Sequence, residues 1–128
     1  MSIEVKISKN RIPYKKAMII LEKRVDDVKK GLKKEFIWIL EHPTIFTGGI
    51  RSNKNEILDK KINVLKTNRG GKITLHNPGQ KIVYFVINLN KRRKDVRFFI
   101  NTLEKSVIEL LKIYNIDAYP DRKNIGIW

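Results

Sequence analysis

The segment from Arg69 to Gln80 combines the residue types that most directly suggest chemistry. It reads Arg69-Gly70-Gly71-Lys72-Ile73-Thr74-Leu75-His76-Asn77-Pro78-Gly79-Gln80. Two adjacent glycines permit positive φ or the close approach of a ligand to the backbone, and exposed N–H groups there bind a carbonyl or phosphate oxygen. Arg69 can pair with an anion, and His76 lies where a turn would present it. An ordinary hairpin with turn residues at both ends explains the same pattern equally well.

Other site signatures are missing from the sequence. Neither the dinucleotide-binding glycine pattern nor the P-loop pattern occurs. His42 and His76 are 34 positions apart with no paired carboxylates beside them, so we expect no metal site. His42 precedes Pro43 at the end of an apolar run, which favours a structural role or a place at a pocket edge. The chain has no cysteine, which excludes disulfides and a thiol nucleophile within it.

The charge is strongly basic, with 28 Lys and Arg against 13 Asp and Glu, a net charge of +15. Such a balance is typical of proteins that neutralise nucleic-acid phosphates. However, 20 Lys, 20 Ile and 11 Asn are all residue types that AT-rich coding sequence favours. We therefore favour compositional drift over nucleic-acid binding. A basic surface would also suit an acidic protein partner.

The apolar pattern predicts a mixed sheet with packed helices, that is, an α/β or α+β fold. Strands are predicted at 3–7, 36–40, 72–75, 82–89 and 116–119, with another beginning at 125. Helices are predicted after Pro13 and after Asp95, the second with a buried stripe from Val96 to Tyr114. Residues 47–49 are expected to form a turn, and the strands at 72–75 and 82–89 are expected to pair as a hairpin.

The length of 128 residues and the mass of 15.1 kDa suit one domain, residues 1–128. No apolar run approaches the ~20 residues of a membrane span, and the N-terminus has no hydrophobic signal core. We therefore expect a cytoplasmic protein without membrane contact. The chain ends inside the apolar strand that begins at Ile125, and we expect the architecture to be incomplete on its C-terminal side.

Two motifs resemble one enzyme family in order and spacing. The segment Trp38-Ile39-Leu40-Glu41-His42-Pro43-Thr44-Ile45-Phe46-Thr47-Gly48 is similar to the "LEHPPVYTLG" segment of octanoyltransferases, also called lipoate-protein ligase B. Residues 69–80 resemble that family's "RGGxxTxHGPGQ" signature. The helix from Asp95 and the segment Asn124-Ile125-Gly126-Ile127-Trp128 are similar to the helix and the "GVW" strand that follow in the family.

The resemblance implies the fold of the biotin and lipoate protein ligase catalytic domain and a reaction without a cofactor. In that reaction an octanoyl group moves from octanoyl-acyl carrier protein, through a cysteine acyl-enzyme, to a lysine of a lipoyl domain. The acceptors would be lipoyl domains of 2-oxoacid dehydrogenases and the glycine cleavage H protein. The substrate-binding residues would be Arg69, Gly70, Gly71, Lys72, Ile73, Thr74, Leu75 and His76.

The sequence departs from the family pattern in two ways. Asn77 replaces the glycine of "HGPG", at a cost that asparagine's tolerance of left-handed backbone would reduce. The family's catalytic lysine and cysteine follow the "GVW" strand, so this chain has no catalytic residue of that type and we expect it to be inactive alone. Ser8, Ser52 and Ser106 lie outside the pocket motif. The alternatives are a small basic nucleic-acid-binding module, an ATP-dependent lipoate or biotin ligase, and a partner of a separately encoded C-terminal half.

Overall fold

The computed structural model, which describes residues 2–128, contains eight strands and two α-helices, with five successive strands between the helices. The helices are α1 (Tyr14–Lys29) and α2 (Val96–Ile113). The strands are β1 (Ile3–Ile7), β2 (Glu35–Leu40), β3 (Ile45–Gly48), β4 (Val64–Lys66), β5 (Ile73–His76), β6 (Ile82–Val86), β7 (Pro120–Asp121) and β8 (Gly126–Ile127). This mixed composition confirms the predicted α/β class. The chain divides into two compact units, Met1–Asn88 and Leu89–Trp128.

The first sheet of the larger unit has the order β1-β2-β6, with β1 parallel and β6 antiparallel to β2. The apolar run of β2 takes the central position. Phe36, Trp38 and Leu40 are buried on one face, whereas Ile37 and Ile39 on the opposite face are half-buried, so the prediction of a strand buried on both faces is confirmed for one face only. One face of the sheet packs against α1. This core consists of Ala17, Leu21, Val28, Phe36, Trp38, Leu40 and Val86.

Helix α1 begins after Pro13, which has φ −53° and caps the helix without a side-chain hydrogen bond. Its buried positions recur at helical spacing and face the sheet: Tyr14, Ala17, Leu21 and Val28. Gly31 follows the helix with φ +73°, as expected for a C-terminal stop. The helix therefore brings its first residue, Tyr14, to the end of the sheet where β2 finishes.

The second sheet has the order β4-β3-β5 and contains most of the sequence motifs. Thr47 and Gly48, predicted as a turn, instead belong to β3, because their backbone pairs with β4 on one side and β5 on the other. The predicted hairpin is also wrong. β5 pairs with β3, whereas β6 pairs with β2 in the first sheet.

The smaller unit contains α2, β7 and β8. The Asp95 side chain accepts a hydrogen bond from the Phe98 N–H at 2.9 Å, which confirms the predicted N-cap. The apolar stripe of α2 was expected to be buried, but no residue of this helix is buried. The strand predicted at 116–119 is replaced by the short β7, which pairs with β8. Within residues 2–128, no helix is long and apolar enough to cross a membrane.

Candidate functional site

The Arg69–Lys72 loop, which precedes β5, is fastened to the end of β3 through its carbonyl groups. Gly49 N–H donates to the Lys72 carbonyl at 3.0 Å, Ile50 N–H to Arg69 at 2.9 Å and Arg51 N–H to Gly71 at 3.1 Å. The Gly70 carbonyl accepts from Arg69 Nη1 at 2.8 Å. Every carbonyl of the loop is therefore bonded to the protein.

The N–H groups of Gly70, Gly71 and Lys72 in the same loop donate no hydrogen bond to the described residues. A trans peptide holds the carbonyl of one residue and the N–H of the next in opposite directions, and no cis peptide occurs in the described chain. Because the loop carbonyls turn toward β3, the N–H groups of Gly70, Gly71 and Lys72 turn away from it. No hydrogen bond within residues 2–128 uses them. A row of such donors is suited to binding a carbonyl oxygen or an anion.

The Arg69 side chain connects this loop to β3 and β5 by hydrogen bonds. Its Nε and Nη2 donate to the Thr47 hydroxyl at 3.1 and 2.8 Å. Nη2 also lies 2.6 Å from the Thr47 carbonyl, 2.9 Å from the Lys72 carbonyl and 2.7 Å from the Thr74 hydroxyl. No carboxylate of the described residues forms an ion pair with Arg69. The guanidinium is thus occupied by neutral oxygens, and its positive charge is not cancelled.

Strand alternation divides the eight predicted binding residues between two faces of the second sheet. Thr74 and His76 share the face of Thr47 and Ile45, whereas Ile73 and Leu75 face the other way, with Gly48 and Phe46. The Lys72 ammonium is 2.6 Å from a carboxylate oxygen of Glu56, which directs that side chain away from the loop. The structure thus brings together Arg69, Gly70, Gly71, Thr74 and His76.

A cluster of four rings lies beside the loop: Tyr14, His42, His76 and Tyr84. His42 is fully buried, its Nδ1 is 2.6 Å from the Ile12 carbonyl, and its Nε2 is 2.9 Å from the Tyr84 hydroxyl. A carbonyl only accepts, so Nδ1 carries the proton and Tyr84 donates to Nε2. The His76 ring stacks on Tyr14 at 5.9 Å and meets the His42 ring edge at 5.7 Å.

Burial keeps His42 uncharged. Desolvation lowers the pKa of His42 and the nearby imidazole of His76 lowers it further, against the opposing effect of the hydrogen bond to Ile12. Burial also raises the pKa of Tyr84. The two groups that support the site from the first sheet are therefore neutral near pH 7.

The turn at Asn77–Gln80 closes with a hydrogen bond from the Gln80 N–H to the Asn77 carbonyl at 3.1 Å. Positive φ falls on Gly79, at +87°, and not on Asn77. The substitution at Asn77 therefore needs no left-handed backbone. Glu41 holds the turn to the end of β2, accepting from the Gly79 N–H at 3.0 Å and from Lys81 at 2.7 Å.

An open groove of about 430 Å³ adjoins the cluster between α1 and residues 65–68, which form the end of β4 and the segment after it. Tyr14 belongs to both the groove and the ring cluster, and Asn68 lies in its wall next to Arg69. Apolar side chains of Met18, Ile19 and Leu65 contribute to its lining. Within residues 2–128, no group of three or more acidic or histidine side chains is placed to hold a metal ion.

Sequence reasoning missed several contributors to the site. The sequence predicts a turn at Thr47 and Gly49, and it gives Tyr14 and Tyr84 no role beyond their positions in a helix and a strand. The signal available for Gly49 was its place beside Gly48, since paired glycines permit close backbone approach. Nothing local in the sequence indicates that the two tyrosines meet the histidines.

We expect Gly49→Ala to displace the loop and Gly70→Ala to be tolerated. A Cβ at Gly49 would collide with the Gly71 carbonyl oxygen and lie 2.5 Å from that of Gly70, whereas at Gly70 nothing lies within 4 Å. Thermal unfolding and amide chemical shifts of the loop measure the difference. Equal melting temperatures and equal loop shifts in the two variants would show that this packing is not what holds the loop.

We also expect a pH dependence of stability that comes from His42. Its pKa is lowered by burial from the ordinary 6.5, so the unfolded chain binds more protons just below that value. The contribution is complete above about pH 6.5 and is lost as the pH falls toward the folded-state value, with a slope of at most ~1.4 kcal/mol per pH unit. Urea unfolding between pH 7 and 5 measures it. The slope should flatten in His42→Gln and persist in His76→Gln; the reverse result would assign it to His76.

Comparison with known proteins identifies the family. Residues 13–128 match the lipoyl protein ligase A/B catalytic domain. The octanoyltransferase of Novosphingobium aromaticivorans is 35% identical over 99% of this chain and 57% of its own length. Those of Anaplasma marginale (strain Florida) and Ehrlichia chaffeensis are 36% and 38% identical, each over 98% of this chain and 60% of the relative. The chain thus spans about 60% of the length of these relatives, and it belongs to the lipoyl protein ligase A/B catalytic domain family.

Proposed function

We propose that this chain supplies the acyl-recognition part of an octanoyltransferase of lipoate synthesis. The observation that carries the proposal is the Arg69–Lys72 loop, whose carbonyls are all bonded and whose N–H groups remain for an oxygen of the ligand. The relatives support it because each carries the name octanoyltransferase. The ligand oxygen is the carbonyl oxygen of an octanoyl thioester.

The surroundings of the loop suit such a thioester. The uncancelled charge of Arg69 favours a polarised carbonyl oxygen at the loop donors, and the adjoining groove offers apolar surface from Met18, Ile19 and Leu65 to the acyl chain. The donor is octanoyl-acyl carrier protein. The acceptors are lysines of lipoyl domains in 2-oxoacid dehydrogenases and in the glycine cleavage H protein. The net charge of +15 would speed encounter with an acidic carrier.

The nucleophile has to come from outside these 128 residues. By the family resemblance, a cysteine thiolate attacks the thioester, the carrier thiol leaves, and the lysine amine then displaces the enzyme thiol to form an amide. This chain has no cysteine.

The serine hydroxyls offer no replacement for that thiol. Ser8 Oγ accepts from the Trp38 indole at 2.9 Å, Ser52 Oγ donates to the Gly49 carbonyl at 2.7 Å, and Ser106 Oγ donates to Thr102 at 2.9 Å. Ser2 is exposed ahead of β1. Among the described residues, none of these hydroxyls has a hydrogen bond to a basic side chain, so none is activated for attack.

The proposal predicts that the loop recognises the thioester carbonyl itself. We expect S-octanoyl pantetheine to produce saturable amide shifts at Gly70, Gly71 and Lys72 in a ¹⁵N spectrum. The matched ligand S-octyl pantetheine, a thioether without the carbonyl, should occupy the groove and leave these amides unshifted. Identical loop shifts with both ligands, or none with either, would refute the proposed recognition.

The second prediction is that the 128-residue chain alone transfers no octanoyl group. Purified chain is incubated with octanoyl-acyl carrier protein and a lipoyl domain, and octanoyl-lysine is measured by intact mass. The full-length octanoyltransferase of N. aromaticivorans serves as the positive control. Turnover by the chain would contradict the need for an external thiol, and modification only with ATP and free octanoate would indicate a ligase instead.

A further inference from the structure

We propose that His42 and Tyr84 are positioning residues that hold the His76 ring in the orientation in which the Gln80 side chain fixes its tautomer. His76 is the last of the predicted binding residues and lies on the Thr47 face of β5, beside the oxygens that Arg69 binds. Tyr84 belongs to β6 of the other sheet, and His42 lies two residues after the end of β2. Together they form a support that reaches His76 from the end of β2 and from β6.

The support is rigid because His42 is fixed at both ring nitrogens. The Ile12 carbonyl takes the Nδ1 proton at 2.6 Å and the Tyr84 hydroxyl approaches Nε2 at 2.9 Å from the other side. Rotating or flipping the ring would break both hydrogen bonds inside a site with no access to water. Leaving such buried groups unpaired costs about 1–3 kcal/mol each, so a single orientation is strongly preferred.

The His76 ring lies between Tyr14 and His42, in a space that we call the slot. Tyr14 covers one side of its ring, with nearly parallel planes at 16°, and the His42 ring closes the slot from another direction at 67°. Its Nδ1 lies 3.0 Å from the Gln80 side-chain oxygen, so Nδ1 donates and carries the proton. Its Nε2 then presents a lone pair toward the Thr47 hydroxyl at 3.4 Å.

The charges around the two imidazoles favour a neutral His42. The groups that face His76 are Tyr14 from α1, His42 from the end of β2 and, through Thr47, the guanidinium of Arg69; Tyr84 stands behind His42. No carboxylate of the described residues contacts either imidazole. A proton on His42 would therefore add a second positive charge beside Arg69, and the neutral tautomer of His42 avoids it.

The experiment uses the chain's two histidines, which give two separately assignable sets of imidazole ¹⁵N signals. In the wild-type chain at pH 7.5, we expect both rings to be in the Nδ1–H tautomer. In Tyr84→Phe, which removes one hydroxyl and keeps the ring, we expect the His76 signals to move toward a mixture of tautomers. Tyr114→Phe, at an exposed position in the smaller unit, is the matched control and should leave both sets unchanged.

A ligand measurement links this inference to the proposed function, on which it rests. Loss of one hydrogen bond of ordinary strength in the support should weaken S-octanoyl pantetheine binding about three- to tenfold in Tyr84→Phe. Absence of binding by the wild-type chain would overturn the proposed function, while the tautomer result would still decide the positioning role.

Two results would overturn the inference. One is a charged or Nε2–H His42 in the wild-type chain, which requires no variant and therefore does not depend on folding of a mutant. The other is a Tyr84→Phe chain with lowered melting temperature but unchanged His76 signals, which would make Tyr84 and His42 purely structural.

His42→Asn, which retains a donor for the Ile12 carbonyl and loses the ring, should move the His76 signals further than Tyr84→Phe.

Discussion

The guanidinium of Arg69 is the interaction on which the candidate site depends. A cation that is half-buried and has no carboxylate partner is stable only if several oxygens converge on it. Here those oxygens come from both β3 and the loop before β5, at distances between 2.6 and 3.1 Å. Nη2 alone lies within hydrogen-bond distance of four oxygens and carries two N–H groups, so its donors are shared among them. The loop carbonyls accept hydrogen bonds from Arg69 and from the backbone of residues 49–51. Because each peptide is planar and trans, the loop N–H groups then point to the opposite side.

Two glycines make this geometry possible for different reasons. Gly49 removes a side chain where three carbonyl oxygens of the loop crowd against its Cα, and Gly71 adopts φ +83°, which side-chain-bearing residues seldom adopt. The threonines of β3 and β5 face each other in register and provide the remaining oxygens. The sequence pattern Thr-x-Gly on one strand and Arg-Gly-Gly-x-x-Thr on the other is thus one structural unit assembled from two strands.

Local patterns in the sequence predicted what depends on local physics. The buried β2, the start of α1 at Pro13, the cap at Asp95 and the loop at Arg69 follow from apolar runs and from the conformational limits of proline and glycine. Strand pairing depends on distant residues, so β5 and β6, adjacent in sequence, were wrongly joined as a hairpin. Thr47-Gly48 has turn chemistry, and only its two neighbours in the sheet make it a strand. Arg69 and His76 indicated the candidate site in the sequence, but Tyr14 and Tyr84 could not be distinguished from core residues.

The fixed hydrogen bonds of the loop have a consequence for the chemistry. Whichever thiol attacks an octanoyl thioester, negative charge builds on the carbonyl oxygen, so donors fixed in advance around that oxygen gain strength as the reaction proceeds. Donors of this kind must not relax toward the ligand. The loop meets that condition because its carbonyls accept hydrogen bonds from residues 49–51 and from Arg69, and because Arg69 is itself held by the oxygens of Thr47. The neutral His42 adds rigidity without adding charge. In the proposed function, the described residues therefore supply stabilisation of the developing oxyanion, whereas the attacking thiol is not among these 128 residues.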